Sequence, residues 1–246
     1  MRADEPFRLA LYAGSEQPCP YLPGRQSTLH YVDPQIALTP SLYGALLANG
    51  FRRSGGFVYR PGCHGCGRCI AARLPVDGFT PNRSQRRTIA RNADLRVRTG
   101  PAQLTDAHYE LYRSYLNARH HDGGMADASR EECETFLIAD WCESLFVDLW
   151  LDDRLAATAV PDSIPHGLSA IYTFFDPSMP SRSLGTFALL TQLSVARQQG
   201  LHHLYLGYWV AESEKMAYKE RFRPLQIHVD GRWETCPPKT PLPIPP

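Results

Sequence analysis

Three cysteines stand close together in the chain, at a spacing typical of metal ligands. The segment 63–69 reads CHGCGRC, which is the pattern C-x2-C-x2-C. Two-residue gaps that contain glycine let a tight turn aim successive sulfurs at one point, as a tetrahedral metal ion or an iron–sulfur cluster requires. Three thiolates are one ligand short of closed coordination, and we predict Cys19 as the fourth, with His64 as the alternative. The predicted ligands are Cys19, Cys63, Cys66 and Cys69.

The spacing does not separate zinc from iron–sulfur. It resembles part of a ferredoxin motif, but a fourth local cysteine and the following proline are missing. The alternative is a set of reduced thiols that pack a glycine-rich turn or form a redox-labile pair. Three other cysteines are isolated in the sequence and are predicted to be ordinary thiols: Cys133, Cys142 and Cys236. An odd total of seven cysteines argues against a secreted disulfide framework and favours a cytoplasmic protein.

A second distinctive stretch is rich in arginine. Residues 81–98 contain six arginines and one acidic residue, whereas the net charge of the whole chain is only +1. If residues 83–91 are helical, Arg83, Arg87 and Arg91 recur every four residues on one face. Guanidinium groups match phosphate oxygens, and the lack of interleaved aromatic residues favours contact with a nucleic-acid backbone over base stacking. The alternative is a solvated basic face.

The elements that must position these residues fall into two parts. In the first hundred residues the pattern predicts short helices at 42–47 and 88–95, and strands at 57–59 and 74–76 on either side of the cysteines. The segment Thr99-Gly100-Pro101 reads as a boundary. We therefore expect a smaller cysteine-containing α+β domain at 1–100, a second domain at 101–236 and an extended proline-rich tail at 237–246.

The second part has more regular patterns. Helices are predicted to begin at Thr105-Asp106 and at Ser129, where Glu132 completes a capping box. The later elements are strands at 145–151, 156–160 and 168–175, a helix at 185–199, a strand at 204–206, a helix at 213–221 and a hairpin at 227–233. A looser connection is expected from Pro161 to Gly167. This order predicts an α/β fold of the acyl-CoA N-acyltransferase-like (GNAT-like) type.

Composition excludes several classes of protein. The 246 residues are 43% hydrophobic and 21% charged, close to the averages of globular proteins. No run of about 18 apolar residues is present, so we expect no membrane span. The first residues are charged and lack the apolar stretch of a signal peptide, which again favours the cytoplasm.

Several motifs together resemble the arginyl-tRNA–protein transferase family, over about residues 15 to 235. They are CPYLPGR at 19–25, NGFRRSG at 49–55, YRP at 59–61, YTFFDP at 172–177, Leu184-Gly185, and Tyr208-Trp209 to Tyr218-Lys219. The triple-cysteine form is similar to the family's bacterial branch, the aspartate/glutamate leucyltransferases. The resemblance implies transfer of leucine from Leu-tRNA to proteins with N-terminal Asp or Glu, which marks them for degradation. It also implies the family's iron–sulfur cluster, although Leu22 replaces one of that cluster's cysteines.

Such a reaction makes modest demands on side chains. The α-amine of the acceptor has a pKa of about 7.7–8.0 and the ester is already activated, so positioning can supply much of the rate. We predict that Asp176, with Tyr172 beside it, orients the incoming ammonium or accepts its proton. Residues after the strand at 204–206 are predicted to form the wall of the acyl site: Tyr208, Trp209, Lys215, Tyr218 and Lys219. The alternative places these aromatic residues in the core.

Two further binding roles are predicted for arginines. Arg60 or Arg73, on either side of the cysteines, is expected to pair with the acidic first residue of the acceptor. The helix start after Arg182 offers free N–H groups to the terminal phosphates of tRNA, with an ordinary helix start as the alternative. The predicted tRNA contacts are Arg83, Arg86, Arg87, Arg91 and Arg182.

Three other functions compete with leucyl transfer. Arginine in place of leucine would use the same acceptors. The predicted fold also suits a CoA-dependent N-acetyltransferase, although the loop at 182–186 lacks the full glycine pattern of a CoA site, so no CoA is expected. A metal-containing RNA-binding module without activity is the non-enzymatic alternative. We expect neither DNA nor a membrane as a partner.

Overall fold

The structure is a computed structural model that describes residues 9–119, 128–236 and 242. It contains strands and helices in alternation and confirms an α/β fold. None of the described helices is long and apolar enough to span a membrane. The tail predicted at 237–246 lies outside the described residues except for Leu242, which is buried against the core.

Most helices match the sequence patterns, but the helix expected at 88–95 lies earlier, at 83–91. The helices are α1 (Pro40–Ala48), α2 (Arg83–Arg91), α3 (Asp106–Arg119), α4 (Arg130–Leu137), α5 (Leu184–Gln198) and α6 (Glu214–Ala217), with short 3-10 turns at Pro180–Arg182 and Tyr218–Arg221. The predicted capping box of Ser129 and Glu132 opens α4, and an equivalent box of Asn82 and Gln85 opens α2. Side chains that satisfy the first free N–H groups explain why both helices begin where they do.

Fourteen strands form three sheets in the described residues. In the N-terminal region they are β1 (Leu11–Ala13), β2 (Gln17–Pro18), β3 (Gln26–Ser27), β4 (Leu29–Val32), β5 (Arg52–Ser54), β6 (Phe57–Pro61) and β7 (Ile70–Pro75). The others are β8 (Arg96–Pro101), β9 (Glu143–Leu151), β10 (Arg154–Ile164), β11 (Gly167–Phe175), β12 (His203–Trp209), β13 (Leu225–Val229) and β14 (Arg232–Cys236).

The largest sheet has eight strands in the order β14-β13-β7-β12-β11-β10-β9-β8. β7, from the first hundred residues, lies between β12 and β13. The segment Thr99-Gly100-Pro101, which we expected to be a boundary, belongs to β8 at the edge of this sheet. A four-stranded antiparallel sheet, β1-β4-β6-β5, lies over α1 in the N-terminal region.

The eight-stranded sheet separates the hydrophobic clusters. One face packs on α5, through residues that include Leu168, Leu204 and Leu206. The other face is covered by α3 and α4 next to Phe174, and by α1 and the smaller sheet next to Tyr205. Residues on the two faces alternate along the regular parts of the strands, and register shifts in β10 and β12 interrupt this alternation.

Two details of the strands differ from expectation. β10 continues to Ile164, so Pro161 lies inside a strand and the connection to β11 is a tight turn. The pairing of β10 with β11 shifts between Val160 and Pro161, and such a bulge is where a strand accommodates proline. β12 extends to Trp209, so Tyr208 and Trp209 are strand residues and do not follow the strand as predicted.

Candidate active site

Two neighbouring parallel strands pair over only three residues. Gly167, Leu168 and Ser169 of β11 pair with 203–205 of β12, and the pairing then ends. We call the gap beyond this point the strand cleft, bounded by 170–175 of β11 and 207–209 of β12. Unpaired backbone groups at such a gap need other partners or a ligand.

Arg52 lies across the strand cleft. Its Nη2 atom donates hydrogen bonds to the carbonyl oxygens of Ala170 and Ile171, at 2.8 Å each. Its Nη1 atom is buried and has no hydrogen-bond partner among the described residues. Arg52 therefore satisfies one side of the strand cleft and still carries an unused donor inside it.

Gly207 on β12 makes room for this guanidinium. A Cβ atom at Gly207 would lie 2.1 Å from Arg52 Nη1, closer than any contact allows. Gly207 also has φ +71°, in the left-handed region where glycine carries no steric cost. The strand shifts its register against β7 between Tyr205 and Gly207, which places the glycine opposite the arginine.

Lys219 is a second cation beside the strand cleft. It is only 3% exposed, and its Nζ donates hydrogen bonds to the backbone oxygen of Tyr208 and to Met216 Sδ at 3.6 Å. Burial, and then the positive charge of Arg52, lower the pKa of Lys219 well below its usual value, whereas Cys69 raises it. Lys219 is thus anchored to the end of β12, where the charges of Arg52 and Cys69 act on it.

Four of the cysteines line one pocket of about 360 Å³, most of whose wall comes from the N-terminal region. We call it the cysteine pocket; its wall includes Cys19, Cys63, Cys66 and Cys69 together with Tyr21, Tyr59 and Tyr208. Cys19 thus lines the same pocket as the three local cysteines. The backbone N–H of Thr28, between β3 and β4, donates to Cys63 Sγ at 3.4 Å.

The cysteine pocket provides the donor chemistry of a zinc or iron–sulfur site. Burial, and then the charges of Cys63, Cys19 and Cys66, raise the pKa of Cys69 to about 12. Within 9–119, 128–236 and 242, however, no group of three or more His, Cys, Asp or Glu side chains is arranged so that it could hold a metal ion. Metal ligation by these cysteines stays a prediction.

Tyr208 connects the cysteine pocket to the strand cleft. Its ring is 3% exposed, and its hydroxyl donates to the backbone oxygens of Gly50 at 3.0 Å and Tyr59 at 3.3 Å. Trp209 points to the opposite face, where its indole Nε1 is buried without a described partner. Tyr218 is 40% exposed and stands 5.6 Å from Lys219 Nζ. Of the predicted wall, Tyr208, Tyr218 and Lys219 thus lie together.

Of the two predicted catalytic residues, Tyr172 lies within β11 and Asp176 directly follows its last residue. Asp176 is 4% exposed, and its carboxylate accepts hydrogen bonds from the backbone N–H and hydroxyl of Ser178, at 2.9 and 2.6 Å, and from Arg154. Tyr172 packs among Tyr112, Tyr115 and Phe136. Burial raises the pKa of the Tyr172 hydroxyl above its usual range. Their roles in the reaction stay predictions, and these contacts also shape the turn after β11.

Arg60 and Arg73 have different surroundings. Arg73 donates to Gln226 Oε1 at 2.7 Å and to the Tyr205 hydroxyl at 3.1 Å, and its guanidinium lies 4.2 Å from the Trp233 ring centre. Arg60 is exposed on β6 and lies over the ring of Phe51 at 5.2 Å. The structure does not bring these two arginines together.

The arginine-rich segment forms α2, as predicted, and its arginines are exposed. Arg86 donates to the oxygen of Pro81 at 2.7 Å, and Arg91 donates to the oxygen of Ser181. Arg182 forms a two-pronged ion pair with Asp94 at 2.8 Å. Arg83 and Arg87 have no ion pair with any described residue. The turn before α5 is therefore held beside α2, and together they present one basic surface.

Sequence reasoning missed Arg52 and its neighbour Arg53. Arg53 is 1% exposed and forms an ion pair with Asp162 on β10, which fixes β5 against the large sheet. Both residues stand in the NGFRRSG motif. Two adjacent arginines gave no hint of burial; only their place in a family motif marked them.

Comparison with protein families identifies similar sequences along most of the chain. Residues 17–87 match the N-terminal model, and residues 107–229 the C-terminal model, of "Arginine-tRNA-protein transferase". An aspartate/glutamate leucyltransferase of Pseudomonas paraeruginosa (strain DSM 24068 / PA7) is 46% identical over 226 residues, which cover 92% of this chain and 96% of the relative. The enzyme of the same name from Hahella chejuensis (strain KCTC 2396) is 47% identical over 227 residues, covering 92% and 97%.

Solved structures give a weaker likeness. The structure of L-PGS from Bacillus licheniformis aligns with a TM-score of 0.45 and 12% sequence identity, over 69% of this chain and 49% of that one.

Proposed function

The chain belongs to the arginine-tRNA–protein transferase family, and from this membership we propose that it transfers leucine from Leu-tRNA to the N-terminal Asp or Glu of acceptor proteins. The observation that carries the proposal is identity of 46–47% to aspartate/glutamate leucyltransferases over 92% of this chain. The bond that forms joins the acceptor nitrogen to the leucyl carbonyl carbon. The bond that breaks is the ester to the terminal ribose of the tRNA, whose hydroxyl leaves with a proton.

We place the reaction at the strand cleft. Arg52, Lys219 and the buried ring of Tyr208 supply donors and a rigid wall there, and donors that are fixed before the reaction stabilise charge that develops on the carbonyl oxygen. Asp176 and Tyr172 are our candidates for guiding the acceptor ammonium from the end of β11. Because the amine is partly neutral near pH 7.5 and the ester is activated, precise placement supplies much of the rate.

The basic surface of α2 supports tRNA binding. Arg83, Arg86 and Arg87 are exposed, whereas Arg91 and Arg182 fasten α2 to the turn before α5. Exposed guanidinium groups on a short helix match successive phosphates of a nucleic-acid backbone. We propose that this surface holds the acceptor arm while its aminoacyl end enters the strand cleft.

We further propose that Cys19, Cys63, Cys66 and Cys69 hold zinc or an iron–sulfur cluster. Four thiols on the wall of one pocket support this assignment. When bound, such a group would supply structural cross-linking between the turn at 63–69 and the N-terminal strands. The residues that would hold it lie next to Tyr208 and Tyr59, so the group would stiffen the wall of the strand cleft.

The proposed transferase activity also agrees with the fold and with a cytoplasmic setting. An antiparallel meander, β9-β10-β11, followed by α5 and the parallel strand β12 supports a GNAT-like second domain. Arg52 donates hydrogen bonds to the backbone oxygens of Ala170 and Ile171 in the strand cleft. Because these oxygens are then not free to bind a CoA molecule in the strand cleft, the contacts argue against a CoA-dependent acetyltransferase. A substrate such as aminoacyl-tRNA supports our proposal that the enzyme acts in the cytoplasm, where the leucine that it adds would mark acceptors for degradation.

One experiment tests both substrates. The protein is incubated with radiolabelled leucyl-, arginyl- or phenylalanyl-tRNA and with peptides that begin with Asp, Glu, Lys or Ala. We expect label from leucyl-tRNA on the Asp and Glu peptides only. Label from arginyl-tRNA would reassign the donor, and tRNA binding without labelled peptide would favour the non-enzymatic module. A thermal shift with acetyl-CoA tests the remaining alternative.

A further inference from the structure

The four-stranded sheet carries a row of side chains that crosses all of its strands at one register. Tyr12 on β1 stands opposite Tyr31 on β4, and Tyr31 stands opposite Tyr59 on β6. Tyr59 in turn stands opposite Arg52 on β5. Side chains at directly opposed positions share one face of a sheet. Because neighbouring strands lie about 4.8 Å apart, the row is about 14 Å long, and it ends at Arg52 in the strand cleft.

The face that carries this row is not the face that packs on the core. Val32 and Val58, which alternate with the tyrosines along β4 and β6, lie in the cluster around α1. On the face of the row, Tyr12 is 57% exposed, and Phe57, two positions before Tyr59, is 58% exposed. No other large hydrophobic side chain of the described residues is as exposed as these two. Exposed apolar side chains that lie together mark an interaction surface.

The rings form a continuous path from the surface to the strand cleft. Ring centres lie 6.2 Å apart for Phe57 and Tyr31, 6.0 Å for Tyr31 and Tyr59, and 6.2 Å for Tyr59 and Tyr208. Phe57 meets Tyr31 at 78°, so these two rings are not stacked on each other. We call Tyr12, Tyr31, Phe57 and Tyr59 the aromatic platform.

The surroundings of the aromatic platform suit an anionic chain. Tyr31 and Tyr59 also line the cysteine pocket, whose described wall includes Arg25 and contains neither Asp nor Glu. Tyr12 and Phe57 lie outside that wall, so a group held by the cysteines would not cover them. The platform therefore presents rings between positive charges, as sites for single-stranded nucleic acids do.

We propose that the aromatic platform stacks the unpaired nucleotides at the 3′ end of the tRNA and leads the aminoacyl ester to the strand cleft. This inference rests on the proposed function, because it assigns a site to one part of the donor. Bases stack on aromatic side chains with little regard to sequence, and a four-stranded sheet with exposed rings is a known surface for successive RNA bases. α2 contains no aromatic residue, so it suits the phosphates of the paired arm instead.

A short turn connects the aromatic platform with the α2 surface. Gln85 of α2 donates to the backbone oxygen of Arg221 at 3.2 Å. Lys219, in the same turn, donates to the backbone oxygen of Tyr208, whose ring contacts Tyr59. A surface of arginines followed by a surface of rings matches a paired stem followed by an unpaired strand. This succession favours RNA over an acceptor polypeptide as the occupant.

The test is a cycle of binding measurements on the full chain. Filter binding compares the unaltered protein and Phe57→Ala, each with uncharged tRNA and with the same tRNA after removal of its unpaired 3′ nucleotides. We expect Phe57→Ala to weaken binding of intact tRNA about fivefold to a hundredfold, the range for one lost base stack. Binding of the trimmed tRNA should not change. Val97→Ala, which shortens an exposed apolar side chain on β8, is the control and should leave both affinities unaltered.

Salt dependence and conservative variants separate stacking from other causes. Phe57→Ala should lower the affinity for intact tRNA without changing the slope of log affinity against log salt, because a lost stack involves no phosphate contact. Phe57→Tyr keeps the ring and should keep the affinity, as should Tyr12→Phe, which loses only a hydroxyl that donates to Asp33 at 3.4 Å. Circular dichroism establishes whether each variant folds, and Tyr12→Ala repeats the comparison at the other end of the row.

The outcomes distinguish this site from the proposed function. Equal losses of affinity for intact and trimmed tRNA, or no loss for either, would overturn the aromatic platform. Unchanged tRNA binding with weaker binding of an Asp peptide would assign the rings to the acceptor and overturn it as well. If the unaltered protein transfers no leucine but Phe57→Ala still weakens only intact tRNA, the proposed function fails and the platform stands. Leucine transfer without this difference has the opposite meaning.

Discussion

Arg53 and Asp162 form an ion pair in which neither side chain is exposed, across 109 positions of the sequence. Ser144 Oγ donates to the same carboxylate at 2.8 Å, and Arg53 also donates to the backbone oxygens of Gly55 and Leu137. The pair joins β5, β9 and β10 at one point. It therefore fixes the strand that carries Arg52 relative to the large sheet.

Asp162→Asn should destabilise the protein strongly. The substitution keeps the size of the side chain but leaves Arg53 buried without its anion, which costs about 3–5 kcal/mol. Urea denaturation measures the loss in the free energy of unfolding. Asp106→Asn, which breaks the exposed pair with Arg130, is the control and should cost no more than about 1 kcal/mol. Similar losses for the two variants would contradict the importance of burial.

Gly207→Ala should disturb both backbone and site. An L-residue at φ +71° costs about 1–2 kcal/mol, and the new Cβ must also push Arg52 aside. We expect the KM for an Asp peptide to rise along with the loss of stability. Gly231→Ala, at φ +76° with nothing within 4 Å of the new Cβ, carries the backbone cost alone. Its peptide KM should stay unchanged; a rise there would show that strain, not the displaced arginine, weakens binding.

The α2 surface predicts a particular dependence of tRNA binding on salt. The double variant Arg83→Gln/Arg87→Gln should flatten the plot of log affinity against log salt by about 1.4–1.8, because each lost phosphate contact changes the slope by roughly 0.7–0.9. Filter binding of tRNA between low and moderate salt measures the slope. Arg232→Gln should leave it unaltered. An unchanged slope in the double variant would assign both arginines to an ordinary solvated surface.

His203 predicts a loss of stability in mild acid. Burial, and then the charges of Arg73, His202 and His166, lower the pKa of His203 to about 4. The unfolded chain takes up this proton near pH 6.5, whereas the folded protein resists it until about pH 4, so the free energy of unfolding falls as the pH is lowered through that window.

His203→Gln should make that decline shallower. Urea midpoints at pH 7 and pH 5 give the comparison. Parallel declines in His203→Gln and the unaltered protein would show that other groups control the acid response.

Cysteine substitution tests the metal proposal directly. We expect anaerobically purified protein to carry metal at about one site per chain, and Cys66→Ser to lose that metal and melt at a lower temperature. Elemental analysis provides the readout. Cys142→Ser alters a thiol near Ser144 and should keep full metal content. Metal-free protein with unchanged stability and activity would eliminate the site.

Local patterns predicted most of the elements. Capping boxes and apolar spacing located α3, α4 and α5 to within one or two residues, since these signals act over a few neighbouring positions. The hairpin of β13 and β14 turns at Asp230-Gly231, as its turn residues predicted. The prediction for Pro161 was wrong because proline at a bulge looks like a loop in the sequence alone.

The site depended on contacts that local patterns do not carry. Arg52 and Arg53 are neighbours, yet strand geometry sends them to different partners more than a hundred positions away. The convergence of Cys19 on the pocket of the local triplet was predicted from ligand number alone. The amino-acid sequence of neither β11 nor β12 predicts that the two strands diverge, because the divergence arises from how they pair with each other.

The position of β7 limits how this protein can be divided. β7 belongs to the N-terminal stretch of the chain but hydrogen-bonds to β12 on one side and β13 on the other. Cutting the gene near residue 100 would leave one product without the middle of its sheet and the other with a lone strand. Two sheet edges with unpaired backbone N–H and C=O groups would then face solvent, and such edges promote aggregation. Fusions and truncations should therefore be made at the termini, and complementation by separately expressed halves should fail.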